Sequence, residues 1–563
     1  MHLSLFDTLS AFSNRLFYQR LGWIGDIESY HLIPLLFSSL GIFIVTLFAR
    51  ELTGNWLAGA AGGLSLGLFP LFFADSHMNM KDPIAASLFA GVVWSLWHWT
   101  RSNSIKWFIV MTIFVAFSLG GKWSIMTIPF IALPWFFIIR KTAEFKKWFK
   151  PIRLIGLVCF AALACFAFLI AIWPTAWADP RRLTWVIMEN FNFGLQSVRF
   201  QPEGFEIAGF NFYPIMLLLS QTPPVLLLLG AVGLWISVRN AKYHLISLWF
   251  FVTLLRFFLP NTYFYGGVRQ FMEVLPAVAI LVGIGLFKLH KVIVLLISIV
   301  FVILITNIIR LHPYQNAYFN IFIGGLPGAV ERNLVDWTLT YGSIYREAAD
   351  WLNANAQLNA NVAHLDGTMF SISPIWLRDD ISLSPNNFSG FDQKGEYIIA
   401  LFNPLDPPVF AKRYPEKFLQ PIHEIGRDGV VLLRVFRNSP EFVKSGYKNE
   451  RILAPSVKPV LSPQGSFFAV DLKEPVLVTR VTVQKAGAGC ENRNAEFVAF
   501  SSNDPRDFYV LNERKRMNDT TVEYRFAAEV ASIIKIFPQS DDSCVSGGYF
   551  TSVSYLPLSQ APR

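Results

Sequence analysis

The sequence predicts a polytopic α-helical membrane protein with about ten spans, followed by extracytoplasmic α/β and β-sandwich domains. Three observations carry this expectation. The 563 residues are 53% hydrophobic and only 15% charged, with a mean hydropathy of +0.41, too apolar for a soluble globular chain. The apolar residues are unevenly spread: long runs dominate 31–311, while 312–563 are mixed and hold most of the acidic groups. Lysine and arginine crowd into alternate loops between the runs, the pattern that orients membrane helices. The net charge of +9 therefore reads as topology information and does not point to a nucleic-acid partner.

Residues 1–30 interleave Leu3, Leu5, Phe6, Leu9, Phe12, Leu16 and Phe17 with polar groups. This predicts an amphipathic helix lying on a membrane surface. It is not a signal peptide, because no basic start precedes an apolar core. The spans are expected at 31–49, 55–73, 84–100, 107–119, 123–139, 154–173, 222–238, 245–259, 271–287 and 292–311; the fourth is short enough to be tilted or re-entrant.

One set of loops holds Arg50, Arg101, Lys106, the cluster from Arg140 to Arg153, Arg239, Lys242, Lys288 and Lys291. It is expected on the cytoplasmic side. The opposite set holds Lys81, Lys122, Arg181, Arg182, Arg199 and Arg269, so these loops and the tail after Leu311 are expected to face outward. An even number of crossings puts residue 1 outside as well, which suggests a further span ahead of it.

The tail divides in two. Residues 312–440 are expected to be an α/β domain, with a helix carrying Ala348, Trp351 and Leu352 on one face and strands at 397–402 and 430–436 after the turn Arg427-Asp428-Gly429. Residues 455–563 read as a β-sandwich, with β-branched runs separated by the turn cluster Ser501-Ser502-Asn503-Asp504-Pro505. Cys159 and Cys165 sit inside an apolar run as small buried side chains. Cys490 and Cys544 lie in the outward tail and are expected to form a disulfide.

The chemistry concentrates in Ala74-Asp75-Ser76-His77-Met78-Asn79-Met80-Lys81-Asp82-Pro83, between two runs long enough to cross a bilayer. A hairpin needs only turn residues, so two carboxylates, a histidine and a lysine at one membrane face are either a solvated loop or a polar site at the mouth of a cleft. An acid before Pro83 suits a helix start, which accounts for Asp82 but not for Asp75, His77 and Lys81 beside it. Lys122, in Gly120-Gly121-Lys122-Trp123, is either a snorkelling lysine or part of that site. Arg269 follows the glycine pair Gly266-Gly267. Arg256 lies within a span near its outer end, where a charge is costly and functional by default. Three cations near the outer face could receive a phosphate or diphosphate head group. Aromatics in the long outer loop, Trp173 and Trp177 among them, fit either sugar stacking or an interfacial belt.

The order of these motifs resembles the GT-C superfamily of polytopic glycosyltransferases, in the group of dolichyl-phosphate-mannose protein mannosyltransferases and aminoarabinose transferases. The matching stretches are His77-Met78-Asn79-Met80-Lys81-Asp82-Pro83, Gly121-Lys122-Trp123, Trp173-Pro174 to Pro180, Thr222-Pro223, Gly266-Gly267-Val268-Arg269-Gln270-Phe271 with Leu275-Pro276, and His312-Pro313-Tyr314-Gln315 to Tyr318-Phe319-Asn320 with Gly324-Gly325. The resemblance implies an enzyme of the cytoplasmic (inner) membrane. It would move a sugar from a polyprenyl-phosphate carrier to a protein or glycolipid acceptor on the outer face. By the same resemblance Asp82 is the second acidic position, with Asp75 and His77 beside it as catalytic candidates. Lys81, Lys122, Arg269 and Arg256 are the donor-binding candidates, Lys122 and Arg269 on the carrier-phosphate side, and a divalent metal is a possible cofactor. The family's principal acidic motif follows a first span that this sequence does not show. Asp7, Asp26, Glu28 and His31 remain from that region, and none of them matches it.

In such a reaction the sugar passes through an oxocarbenium-like state, as in glycoside hydrolysis. A carboxylate takes the acceptor proton, and cations or a metal hold the departing phosphate. Two other readings compete: a transporter or flippase, and a non-catalytic sugar-binding membrane protein. The first is expected to show internal repeats and spans broken near the midplane; no repeat is visible here.

Overall fold

The structure is a computed structural model. It describes residues 5–140, 151–173, 177, 179, 181–194, 204–260, 262, 264, 266–288, 291–334, 341–365, 372–383, 396–401, 415–453, 460–462, 465–484, 497–504, 507–510, 513–517, 521–538 and 549–558. The chain forms two compact units, Met1–Thr340 and Tyr341–Arg563.

The first unit is helical. Asp26–Thr53, Ile152–Ile172, Ala241–Phe258 and Gly267–Phe287 are long and apolar enough to cross a membrane. Two bent pairs add to them: Trp56–Gly67 with Pro70–Ser76, turned by 66°, and Tyr213–Gln221 with Pro224–Arg239, turned by 118°. By length and composition that makes up to six spans among the described residues. The expected runs 107–119 and 123–139 fall on shorter apolar helices, separated where Gly120, Gly121 and Lys122 interrupt the helix and Trp123–Thr127 restarts it as a 3-10 turn. The run 84–100 falls on helix Asp82–Ser102.

Leu275–Phe287 packs between Trp56–Gly67 and Pro224–Arg239 and is buried almost throughout. Small residues allow this. A Cβ on Gly233 would lie 1.8 Å from the Leu281 carbonyl oxygen, and one on Gly285 would lie 2.2 Å from that of Leu229. Between apolar helices in lipid the gain comes from such close backbone approach, because hydrocarbon tails are as apolar as leucine.

The 118° bend has a specific chemistry. Pro223 and Pro224 lack the N–H groups that would bond the carbonyls of Leu219 and Ser220. Asn320 replaces both: its Nδ2 donates to the Leu219 oxygen at 2.7 Å and its backbone N–H to the Ser220 oxygen at 2.8 Å. The same amide also reaches the Thr222 oxygen at 2.9 Å. This fold-back makes residues 312–334 part of the membrane unit, whereas the sequence reading starts the tail domain at 312.

The N-terminal segment forms helix Leu5–Asn14 and a π turn, Arg15–Arg20. Its apolar face is used inside the protein: Leu5 and Phe6 are buried with Ile84 and Leu88, against Phe37 and Phe117. Phe12 and Trp23 remain exposed.

In the second unit, helix Tyr341–Asn355 accompanies a five-stranded mixed sheet. Across the sheet the order is Ser382–Leu383, Asn361–His364, Glu396–Leu401, Val430–Asn438 and Pro421–Arg427; the first three strands are parallel and the remaining pairs antiparallel. The strands expected at 397–402 and 430–436 are here and pair antiparallel with each other; the Asp428-Gly429 turn, where both residues have positive φ, joins Pro421–Arg427 to Val430–Asn438. Arg378 caps the end of the helix by donating to the Asn353, Ala356 and Gln357 carbonyls. The C-terminal residues form an all-antiparallel eight-stranded sheet built on Gly465–Gln484 and Thr521–Pro538, whose pairing shifts register between Asp471 and Val476. Leu477 and Leu556 of that sheet lie in one core cluster with Ile398 and Phe436 of the mixed sheet. The expected division of the C-terminal strands into two sandwich layers remains an expectation. Cys490 and Cys544 lie outside the described residues.

Candidate functional site

The polar stretch becomes a built site because two helices end and begin in it. Helix Pro70–Ser76 stops, helix Asp82–Ser102 starts after a gap of five residues, 77–81, and Asn79 organises the gap. Its side-chain oxygen accepts from the backbone N–H groups of Lys81 at 2.9 Å and Asp82 at 3.1 Å. Two of the orphan donors at a helix start are thereby satisfied. Its amide nitrogen donates to Asp82 Oδ2 at 2.8 Å and to Asp75 Oδ2 at 3.2 Å. One asparagine thus ties both carboxylates together, and Asp75 is 3% exposed.

Lys122 arrives from the Gly120-Gly121 break. Its ammonium lies 2.9 Å from Asp82 Oδ1 and 3.1 Å from Glu273 Oε1, and donates to the Arg269 and Gln270 carbonyls at 3.1 and 2.9 Å. Four protein oxygens surround three N–H donors. Glu273 is 1% exposed and also accepts from Ser124 Oγ, while its backbone carbonyl accepts from Trp249 Nε1 at 2.9 Å. The turn that places Glu273 begins at Gly266 and Gly267, with φ of 69° and 66°, a left-handed conformation that glycine adopts without strain. Arg269 Nε donates to the Gly266 carbonyl at 3.1 Å, and its charge acts on both Asp75 and Asp82.

Lys81 is half-buried in the loop. Burial pulls its ammonium down to about 8; Asp82 and Asp7 oppose the shift, and Lys122 and Arg269 add to it. The N-terminal helix therefore brings Asp7 into the electrostatic neighbourhood of the site, and Ser10 Oγ touches Met80 Sδ at 3.4 Å.

The structure brings together Asp75, Lys81, Asp82, Lys122 and Arg269. His77 stands at the rim, exposed, with Nδ1 2.7 Å from the Phe73 carbonyl and its ring against Phe73. Arg256 is exposed near the end of helix His244–Phe258, with its guanidinium 5.0 Å from the Phe257 ring centroid. Reasoning from sequence missed Glu273 and the organising role of Asn79. The signal for Glu273 was present: a carboxylate inside an apolar run expected to span is functional by default, the argument applied to Arg256. Among the described residues no group of three or more His, Cys, Asp or Glu is placed to hold a metal ion.

Residues 15–173 match the family model described as dolichyl-phosphate-mannose-protein mannosyltransferase. This supports the resemblance read from the motifs over a stretch that includes Asp75, His77, Lys81, Asp82 and Lys122. Among solved structures, ArnT from Cupriavidus metallidurans bound to undecaprenyl phosphate is similar at 12% identity and TM-score 0.43, covering 77% of this chain and 87% of that one. The Archaeoglobus fulgidus oligosaccharyltransferase in complex with zinc and sulfate is similar at 10% identity and TM-score 0.36, over 99% and 90% of the two chains. Arabinosyltransferase EmbB from Mycobacterium smegmatis is similar at 10% identity and TM-score 0.33, over 99% and 59%. No curated protein matches the chain.

Proposed function

We propose that the chain is a membrane glycosyltransferase that moves a sugar from a polyprenyl-phosphate carrier to an acceptor at the outer membrane face. The observation that carries this reading is the pair Asp75 and Asp82: two carboxylates joined through Asn79 at a helix start, Asp82 held by Lys122, inside the stretch that matches the mannosyltransferase family model. A carboxylate kept ionised by a neighbouring ammonium can accept the acceptor hydroxyl proton as the glycosidic bond to phosphate breaks. Lys81 and Arg269 flank it and supply positive charge for the departing phosphate. Lys122 is engaged by four protein oxygens, so its proposed task is to hold Asp82 rather than to meet the phosphate. The acceptor is a protein or a glycolipid.

Asp82→Asn tests the reading. Asn79 supplies the helix-start hydrogen bonds, and Lys122 keeps Glu273, so the variant should fold and insert. Transfer from a polyprenyl-phosphate sugar in membranes, at matched expression, should fall roughly 10²-fold or more, the scale of general-base and charge-stabilising groups. Near-normal transfer would return Asp82 to a structural role.

A further inference from the structure

The second unit carries an open groove of about 480 Å³ beside its mixed sheet, lined by Trp351, Asn355, Tyr397, Gln420, Arg437 and Phe442. Among the described residues of the lining Arg437 is the one that carries a charge, and none is a carboxylate. Its Nε is buried and makes no hydrogen bond among the described residues. Its guanidinium stands 5.8 Å from the Tyr397 ring centroid and 5.6 Å from that of Phe442. Trp351 is held parallel to the His423 ring, 4.7 Å between centroids and 9° between planes, which fixes the indole plane.

Rigid aromatic surface, amide side chains and one arginine fork suit a ligand with an apolar face, hydroxyls and an anionic group. Strand addition by a peptide is disfavoured at this mouth. Pro421 has no N–H, the Gln420 N–H already donates to the Phe442 carbonyl at 2.8 Å, and Leu419 pairs with Val443. We propose that this groove binds an acidic saccharide, a sugar ring lying on the aromatic surface with its carboxylate on Arg437 and its hydroxyls on Asn355 and Gln420.

The test is calorimetric titration of the full chain in detergent with trigalacturonate, maltotriose and triglutamate. The expected result is binding of trigalacturonate, at least about tenfold tighter than maltotriose or triglutamate, and weakened about tenfold or more by Arg437→Gln and by Asn355→Ala. Asn355 is exposed and its amide bonds the Trp351 carbonyl within its own helix, so its variant retains the fold and decides the matter if Arg437→Gln loosens the turn at Phe442. Thermal melting of each variant reports on folding. The proposal is overturned if trigalacturonate does not bind. It is also overturned if maltotriose or triglutamate binds as tightly, or if folded Asn355→Ala binds trigalacturonate as the parent does, as capture by cations elsewhere would produce.

Discussion

Lys122 Nζ stands 2.9 Å from Asp82 Oδ1 and 3.1 Å from Glu273 Oε1, so one ammonium bridges the start of helix Asp82–Ser102 to the turn ahead of helix Leu275–Phe287. The Glu273 side chain is 2% exposed and that of Lys122 19%. Glu273→Ala leaves Lys122 with Asp82 but removes a buried acceptor from it and from Ser124, and is expected to destabilise the membrane unit by about 1–3 kcal/mol. Glu273→Gln, which retains an acceptor for Ser124, should cost less. Thermal unfolding in detergent measures both, and equal stability of Glu273→Ala and the parent would refute the bridge.

Lys81 should make transfer sensitive to alkali. Burial lowers its ammonium from the ordinary 10.5 to about 8. Between those values the unfolded chain holds the extra proton, so this group's contribution to stability rises as pH increases from about 8 to 10.5. The charge available to a phosphate changes in the opposite sense, because it is present below about 8 and lost above. The rate of transfer should therefore fall as pH passes that value. Lys81→Arg, charged throughout, should flatten the fall. Superimposable pH–rate profiles for the two proteins would show that Lys81 does not meet the donor.

Asn320 should be worth more than a surface asparagine. It supplies donors to carbonyls that Pro223 and Pro224 leave without partners. Asn320→Ala removes the side-chain donor to the Leu219 and Thr222 oxygens. The expected loss is about 1–3 kcal/mol, read as a lower melting temperature of the membrane unit. Asn320→Asp, an acceptor in place of the donor, should be at least as damaging. Unchanged melting of both would mean that other donors serve the bend.

Cys490 and Cys544 are expected to be bonded, as the two cysteines of a tail that the basic-loop pattern leads one to expect on the outer side. Thiol labelling of the denatured, unreduced chain should modify neither and, after reduction, both. Two labelled tail thiols before reduction would refute the pairing and weaken the outward assignment.

The sequence alone determined what depends on local composition. The Gly120-Gly121 break and the Asp428-Gly429 turn act on their own neighbourhoods, through backbone sterics, and appear where expected, whereas the bend at Pro223 and Pro224 falls where one span from 222 to 238 was expected. The polar character of the Ala74–Pro83 stretch was legible for the same reason: charge between two apolar runs is conspicuous without any partner. Tertiary structure decided the partners. Nothing in the neighbourhood of Lys122 announces Glu273, or that its ammonium would be saturated by four oxygens. Nothing near Asn320 announces that its amide would serve a helix 101 residues earlier. Those relationships depend on how closely helices approach, which Gly233 and Gly285 permit, and on which buried donor is left to meet which orphaned acceptor. Burial makes an unmet polar group costly wherever it lies along the chain, so packing, and not sequence proximity, selects the pairs.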